Sequence, residues 1–496
     1  MRPHRLLPTF AALAVLAGCG SGDDGTIGVA IIGNTDAAFA SGLRLSREAQ
    51  LVRAATQSGL VGLNSQGEVV PALAETWIVT DDGLSFIFRL RQTRWPDGSE
   101  MTAQSAREAL VRAMEGLEGT SLGLDLSPIE EVRAMAGRVI EIRLAHPEPA
   151  LLQLLAQPEL ALMNGGSYTG TMTVVARESE SNGAMFRFKP PAERGLPDDE
   201  DWQAEVRDIA LRVGSAEQSL AFFEAGEVAL VMNGDLGNLP LVETGPLSSG
   251  TLRVDSTIGI FGLLVRDGSG LLGDDGVREA LAMAIDRPAL LANYNLGGWQ
   301  STTRPVSPGL PNDRGQVGER WEGAEIESLR AEAARRVAAW RRANDAGDLS
   351  QPVNLYVWMD DGPGWDELLS GLSVQFAPIG IRLQRAEERR QAELVLIDQV
   401  ARYASPRWFL NQFNCALDRG MCSEEADALV REAMAQDNAN LRQTLFARAE
   451  AELTLANVFI PIASPLRWSL VRGGVDGFAP NAYAFHPLPP LAEIPR

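Results

Sequence analysis

Histidine and cysteine, which most often serve in nucleophilic catalysis and transition-metal binding, are few and scattered in this chain of 496 residues. The chain contains three histidines and three cysteines, at His4, His146, His486, Cys19, Cys415 and Cys422. It has no HExxH sequence, no cysteine and histidine cluster at metal-binding spacing, and no glycine-rich phosphate loop. No recognisable motif places His146 or His486 beside a nucleophile. The sequence therefore predicts no enzyme, no metal site and no cofactor.

The composition is that of a large acidic globular protein. The formal net charge is −21 and 45% of the residues are hydrophobic. A charge of this sign repels nucleic acid and anionic lipid surfaces, which excludes both as general partners. Because one hydrophobic core rarely serves a chain of this length, two or more lobes are expected.

The amino terminus has the features of an export signal. Arg2 and Arg5 form a basic start, and the apolar run 10–17 is far shorter than the ~20 residues that span a bilayer. The run closes on Leu16-Ala17-Gly18-Cys19, which resembles the lipobox of bacterial lipoproteins. We predict a lipoprotein signal peptide at 1–18, lipid attachment at Cys19 and a flexible tether at 19–26. An ordinary signal peptide with a chance cysteine is the alternative.

Residues 59–106 predict a β-hairpin followed by a helix. The turn is Asp81-Asp82-Gly83, and no catalytic partner of this pair of acids is recognisable in the sequence. Thr102 is placed to cap the helix. The alternating apolar positions of the two strands are Trp77, Val79, Leu84, Phe86, Phe88 and Leu90. We assign Trp77 and Trp95 to packing within this unit.

A second informative segment is GVREALAMAIDR, at 276–287. One apolar helical stripe is formed by Val277, Ala280, Leu281, Ala284 and Ile285. Asp286, followed by Pro288, can cap the next helix. Both segments resemble the signatures of the family 5 extracytoplasmic solute-binding proteins, the oligopeptide, dipeptide and nickel receptors of ABC importers. Weaker matches extend the resemblance over nearly all of the chain after the leader.

The resemblance implies an α/β, two-lobed periplasmic-binding-protein fold of type II, with an enlarged first lobe that carries an extra subdomain. It predicts lobe I at 27–256, with an inserted hairpin subdomain at about 60–170, lobe II at 257–465, and a return to lobe I at 466–496. Two crossover strands near 256–265 and 464–471 would form the hinge, and the ligand would lie in the cleft between the lobes.

The expected binding segment departs from the family pattern. Peptide-binding relatives carry an aspartate that pairs with the ligand's α-ammonium, but Arg402 stands at the aligned position and Ser405 replaces a second acid. Ser58 stands where the family has a glutamate. If Arg402 faces the cleft, the local preference changes from a cation to an anion. An internally paired or solvent-facing arginine is the alternative.

Aromatic and acidic residues complete the predicted ligand site. Tyr403 and Trp408 flank Arg402, and Trp358 and Asp360 follow a central strand. For each of the three aromatic residues, packing in the core of a lobe is the alternative to contact with the ligand.

The two remaining cysteines, Cys415 and Cys422, have six residues between them. In an oxidising compartment they predict a disulfide that closes a small loop, with two buried thiols as the alternative.

The leading functional hypothesis is a monomeric substrate-binding lipoprotein of the periplasm or cell envelope. It would capture a peptide-like or anionic solute and deliver it to an ABC permease and ATPase. A sensor or envelope scaffold on the same fold is the second hypothesis.

Overall fold

The computed structural model describes residues 25–165, 169–178, 183–242, 250–311, 313, 315–346, 348 and 350–495. The predicted leader and its lipobox cysteine, Cys19, lie outside these residues. Within the described part, no helix is both long and apolar enough to cross a membrane.

The described chain alternates between strands and helices. The strands are β1 (Thr26–Ile32), β2 (Val61–Leu63), β3 (Val69–Pro71), β4 (Ala74–Val79), β5 (Ser85–Leu90), β6 (Ile129–Ala134), β7 (Val139–Leu144), β8 (Met172–Glu178), β9 (Gly183–Phe188), β10 (Asp208–Gly214), β11 (Leu230–Asp235), β12 (Leu252–Asp255), β13 (Gly259–Val265), β14 (Val353–Trp358), β15 (Ile381–Arg385), β16 (Leu394–Val400), β17 (Phe459–Ala463) and β18 (Arg467–Val471). The α-helices are α1 (Thr35–Ala38), α2 (Arg47–Thr56), α3 (Ala103–Gly116), α4 (Ser121–Asp125), α5 (Leu151–Leu155), α6 (Ala216–Glu224), α7 (Asp275–Ala284), α8 (Arg287–Ala292), α9 (Ile326–Ala343), α10 (Pro363–Phe376), α11 (Pro406–Asn411), α12 (Glu424–Met434), α13 (Ala439–Ala456) and α14 (Leu488–Leu491).

Two large sheets form the centres of two lobes. The first has seven strands in the order β12-β18-β11-β1-β10-β9-β8, with β1 parallel to both of its neighbours. The second has five strands in the order β15-β14-β16-β13-β17, and every residue of β13 is buried. The predicted two-lobed α/β organisation is therefore confirmed.

The chain passes between the two large sheets at two places. It leaves β12 at Asp255 and begins β13 at Gly259, and it returns from Ala463 of β17 to Arg467 of β18. The connections are tied together, since the hydroxyl of Thr257 donates a hydrogen bond to the carbonyl oxygen of Pro465. The exact domain limits given above remain predictions.

The hairpin subdomain follows the predicted pattern closely. β4 and β5 pair with Trp77 opposite Phe88, within a four-stranded sheet of order β4-β5-β7-β6. Thr102 caps α3 and accepts a hydrogen bond from the Ser105 amide, as predicted. Trp95 is buried and its indole N–H donates to the Ser105 hydroxyl at 2.9 Å.

The second signature segment forms α7 and α8. The stripe headed by Val277 is buried against the five-stranded sheet, in one core cluster with Leu355 and Val357 of β14. Asp286 accepts a hydrogen bond from the Ala289 amide and caps α8, which confirms the predicted cap.

One hydrophobic core extends from the hairpin subdomain into α11–α13. Phe88, Ile142, Trp408, Phe446 and Phe459 all belong to it. The subdomain therefore packs against elements that follow β16 in the chain, and this packing fixes one wall of the space between the two large sheets.

Candidate functional site: the cleft between the two sheets

A cavity of about 470 Å³ lies where the two large sheets approach each other. Its walls come from the start of α2, the ends of β11 and β16, and the beginning of β18. Residues 483–486 of the carboxyl-terminal segment close another side. Because both sheets contribute to its walls, any movement of one sheet against the other changes the shape of this cleft.

Arg402 lines the cleft, but its charge is paired within the protein. Its two terminal guanidinium nitrogens donate to the carboxylate of Glu159 at 3.0 and 2.8 Å, and Nη1 also donates to the Gln157 amide oxygen at 2.9 Å. Burial acts to lower the pKa of Arg402, yet the Glu159 carboxylate outweighs it, so that the pKa is raised. The argument for an anionic ligand required an unpaired guanidinium, and this pairing removes that argument.

Ser58 lies outside this cleft. Its amide donates to the Thr169 hydroxyl at 3.1 Å and its carbonyl accepts from the Leu162 amide at 2.9 Å. It lines a neighbouring cavity of about 380 Å³, which shares Gln157 and two other wall residues with the cleft.

Tyr403 and Trp408, which the sequence analysis placed beside the ligand, lie in the hydrophobic core instead and do not line the cleft. The hydroxyl of Tyr403 donates to Asp125 at 3.1 Å, and the ring of Trp408 packs edge-on against Phe409 at 4.9 Å. Both rings are covered because α11 packs against α4 of the hairpin subdomain.

Asp125, the partner of Tyr403, is a buried acid at this packed interface. It accepts hydrogen bonds from Tyr403 and from the Asn411 amide at 2.7 Å, while Oδ2 has no hydrogen-bond partner. Burial raises its pKa to about 6, against the opposing charge of Arg407. Arg407 itself pairs with Glu148 at 2.6 Å.

The other two predicted contacts lie at the end of β14. Trp358 is half-buried and has the guanidinium of Arg389 over its ring at 5.3 Å, a cation–π contact. Asp360 lines the cleft. Burial, reinforced by the charge of Asp235, raises the pKa of Asp360.

Sequence reasoning missed a network of charges at the centre of the cleft. Arg467 of β18 donates to both carboxylate oxygens of Asp398 on β16, each at 2.9 Å. Arg47 pairs with Asp235 at 2.7 Å. Burial raises the pKa of Asp398 and lowers that of Arg467, because desolvation exceeds the attraction between them.

His486 belongs to the same wall. Its Nε2 lies 3.1 Å from Asp255, and its Nδ1 lies 3.4 Å from the amide nitrogen of Asn481. These contacts occupy both ring nitrogens. Within the described part of the chain, no three His, Cys, Asp or Glu side chains are grouped to hold a metal ion.

The structure joins Cys415 and Cys422 by a disulfide, with the two Cα atoms 5.2 Å apart. The bridge closes a loop after α11, and neither cysteine lines the cleft.

Fold and cleft together define a two-lobed solute-binding protein, and comparisons with known proteins agree. Residues 68–418 match the model of the bacterial extracellular solute-binding proteins, family 5. The chain belongs to that family, whose members are extracellular or periplasmic binding proteins and not enzymes.

Relatives of known name are distant in sequence. The glutathione-binding protein GsiB of Escherichia coli K12 is 24% identical over 279 residues, which are 53% of this chain and 52% of that protein. The chain thus spans about half the length of this relative. A di/tripeptide-binding protein of Pseudomonas aeruginosa is 22% identical over 83% of this chain and 84% of its own.

Solved structures share the fold. The Haemophilus influenzae OppA complex with the peptide RPPGFSPFR has a TM-score of 0.78 at 16% identity, covering 96% of this chain and 99% of that one. The Escherichia coli murein tripeptide-binding protein MppA has a TM-score of 0.76 at 17% identity, over 95% and 99%. Brucella suis NikA with Fe(III)-EDTA has a TM-score of 0.70 at 16% identity, over 91% and 96%.

Proposed function

We propose that this protein is the receptor of an ABC importer, which captures a peptide-like or other small solute between its lobes and presents it to a membrane permease. The observation that carries the proposal is the cleft itself: its walls come from both large sheets, next to the two connections through which the chain passes between them. The named relatives bind glutathione or short peptides, which supports a solute of that size.

Cleft closure is the step that would couple binding to transport. Lobes I and II, within the limits stated above, would close about the connections at 256–265 and 464–471. The permease would recognise the closed, solute-loaded form, and a separate ATPase would drive uptake. The receptor would act as a monomer, since one chain supplies both walls of the cleft.

The proposed location is the cell envelope, with a lipid on Cys19 as the anchor. Cys19→Ser is expected to release the protein from the membrane fraction without changing its melting temperature. Retention of this variant in the membrane fraction would contradict the lipobox interpretation.

Solute binding can be tested by filling the cleft. Gln399 lines the cavity on β16, whereas Gln384 is exposed on β15 and lines none of the cavities described above, so the two tryptophan substitutions form a matched pair. A solute present at about 100 times its dissociation constant stabilises the native state by roughly 2.7 kcal/mol. We expect a panel of short peptides to raise the melting temperature of the wild type and of Gln384→Trp, but not of Gln399→Trp. An equal rise in all three proteins would show that binding occurs elsewhere.

One observation favours the second candidate, a sensor or scaffold that does not transport. The Arg402–Glu159 pair joins the segment after β16 to the hairpin subdomain, with which it shares one hydrophobic core, and such a contact restricts movement of the lobes. Uptake measurements separate the two functions, since deletion of a transport receptor abolishes import of its solute and deletion of a scaffold does not.

A further inference from the structure

The cations of the cleft are already matched with acids. Arg402 is held by Glu159, Arg47 by Asp235 and Arg467 by Asp398. An anionic group of a solute would compete with the carboxylate of one of these pairs, except at Nη1 of Arg47, which is buried and makes no hydrogen bond. Each described arginine of the cleft therefore already has a carboxylate as its counter-charge.

The acids of the cleft outnumber the cations, and one acid stays open. Asp255 contacts His486, and the buried Glu48 accepts a hydrogen bond from the Asn34 amide at 3.2 Å. Asp360 is different, because it is exposed to the cleft and makes no hydrogen bond or ion pair with any residue that the structure describes. An open carboxylate in a partly desolvated cavity attracts a cation.

The surroundings of Asp360 suit an organic cation. A side chamber of about 310 Å³ is lined by three acids, Asp360, Asp235 and Asp398, together with Trp365 and one cation, Arg47, which is paired with Asp235. Burial and the charge of Asp235 raise the pKa of Asp360 more than the charges of Arg47 and Arg389 lower it, and a further cation placed in the chamber would favour the ionised carboxylate. An aromatic wall beside carboxylates favours an ammonium or guanidinium group.

We propose, on the premise that the cleft is the solute site, that Asp360 determines specificity by pairing with an ammonium or guanidinium group of the solute in the chamber beside Trp365. The solute of this protein is therefore an organic cation or a zwitterion, with its positive end on the β14 side of the cleft. The sequence-based expectation was that Arg402 binds an anionic solute. Because Arg402 is paired with Glu159, the charge that selects the solute is instead the carboxylate of Asp360.

Calorimetric titration with charge-matched probes tests this assignment. The probes are agmatine, tri-alanine amide, tri-alanine, N-acetyl-tri-alanine and N-acetyl-tri-alanine amide. Asp360→Asn removes the charge at nearly constant shape. Asp361→Asn is the control, since Asp361 is a neighbouring exposed acid that pairs with Arg385 at 3.2 Å and does not line the cleft. Circular dichroism confirms that both variants are folded.

Binding is expected for one or more of the three probes with a free amino or guanidinium group, with at least a tenfold weaker association in Asp360→Asn and less than a twofold change in Asp361→Asn. If Asp360→Asn binds a cationic probe as tightly as the wild type does, the assignment is overturned. Binding confined to the acetylated probes would also overturn it, but would leave the receptor function intact. Absence of binding by every probe would count against the receptor function itself, and the role of Asp360 would fall with it.

Discussion

Nη1 of Arg467 lies 2.9 Å from each carboxylate oxygen of Asp398, and this pair joins β18 of the seven-stranded sheet to β16 of the five-stranded sheet. Nη2 of the same guanidinium adds a hydrogen bond to the Asp398 carbonyl at 3.2 Å. The contact lies beside the point where the chain returns from one sheet to the other. It therefore fixes the relative position of the two sheets at the base of the cleft.

Breaking this pair should destabilise the protein strongly. Asp398→Asn leaves the buried Arg467 without its counter-charge, and we expect the free energy of unfolding to fall by about 3 kcal/mol. Urea denaturation measures the change. In an Asp398→Asn background, Arg467→Gln should cost much less than in the wild type. Additive losses in this double-mutant cycle would show that the two side chains are not coupled.

Asp125 predicts a specific dependence of stability on pH. The pKa of Asp125 is about 6 in the folded protein and near 3.8 when the chain is unfolded. At a pH between these values, a larger fraction of this carboxyl group is therefore protonated in the folded state than in the unfolded state. Its contribution to the free energy of unfolding therefore falls as the pH rises from about 4 to about 6, by roughly 2–3 kcal/mol in total.

Asp125→Asn isolates this contribution, because the amide oxygen still accepts from Tyr403 and Asn411 while the unpartnered Oδ2 is replaced. The free energy of unfolding of the variant minus that of the wild type should increase from pH 4 to pH 7 by the same amount. A difference that does not vary over this range would contradict the raised pKa.

The disulfide between Cys415 and Cys422 should make a measurable contribution despite its small loop. The two cysteines have a sequence separation of 7, so the disulfide restricts the conformations of the unfolded chain only modestly. Removal of the disulfide is expected to lower the free energy of unfolding by about 2 kcal/mol. The double variant Cys415→Ser/Cys422→Ser should melt below the oxidised wild type and close to the reduced wild type. Equal melting temperatures of the oxidised and reduced wild type would contradict a stabilising role.

Local signals predicted the elements well, whereas contacts distant in the chain decided the site. The hairpin that pairs Trp77 with Phe88 and the caps at Thr102 and Asp286 depend on residues close in sequence. The partner of Arg402 is 243 positions away, and the sequence gives no indication that Glu159 would meet it.

Tyr403 and Trp408, which were predicted to contact the ligand, are also buried by contacts with residues that are distant in the chain. Trp408 lies on α11, which packs against α4 of the hairpin subdomain. The hydroxyl of Tyr403 donates to Asp125, which is 278 positions away in the chain. Arg47, Asp398 and His486 line one cleft although they come from three separate regions of the chain. No local pattern marks such residues, because each looks like an ordinary surface charge until the fold brings it to the others.

Small-angle X-ray scattering with a bound solute tests the central claim most directly. With a saturating concentration of the probe that binds in calorimetry, we expect the radius of gyration of the wild type to decrease as the lobes close, and that of Gln399→Trp to remain constant. Superimposable scattering profiles of the wild type with and without that solute would contradict a receptor that closes on its ligand.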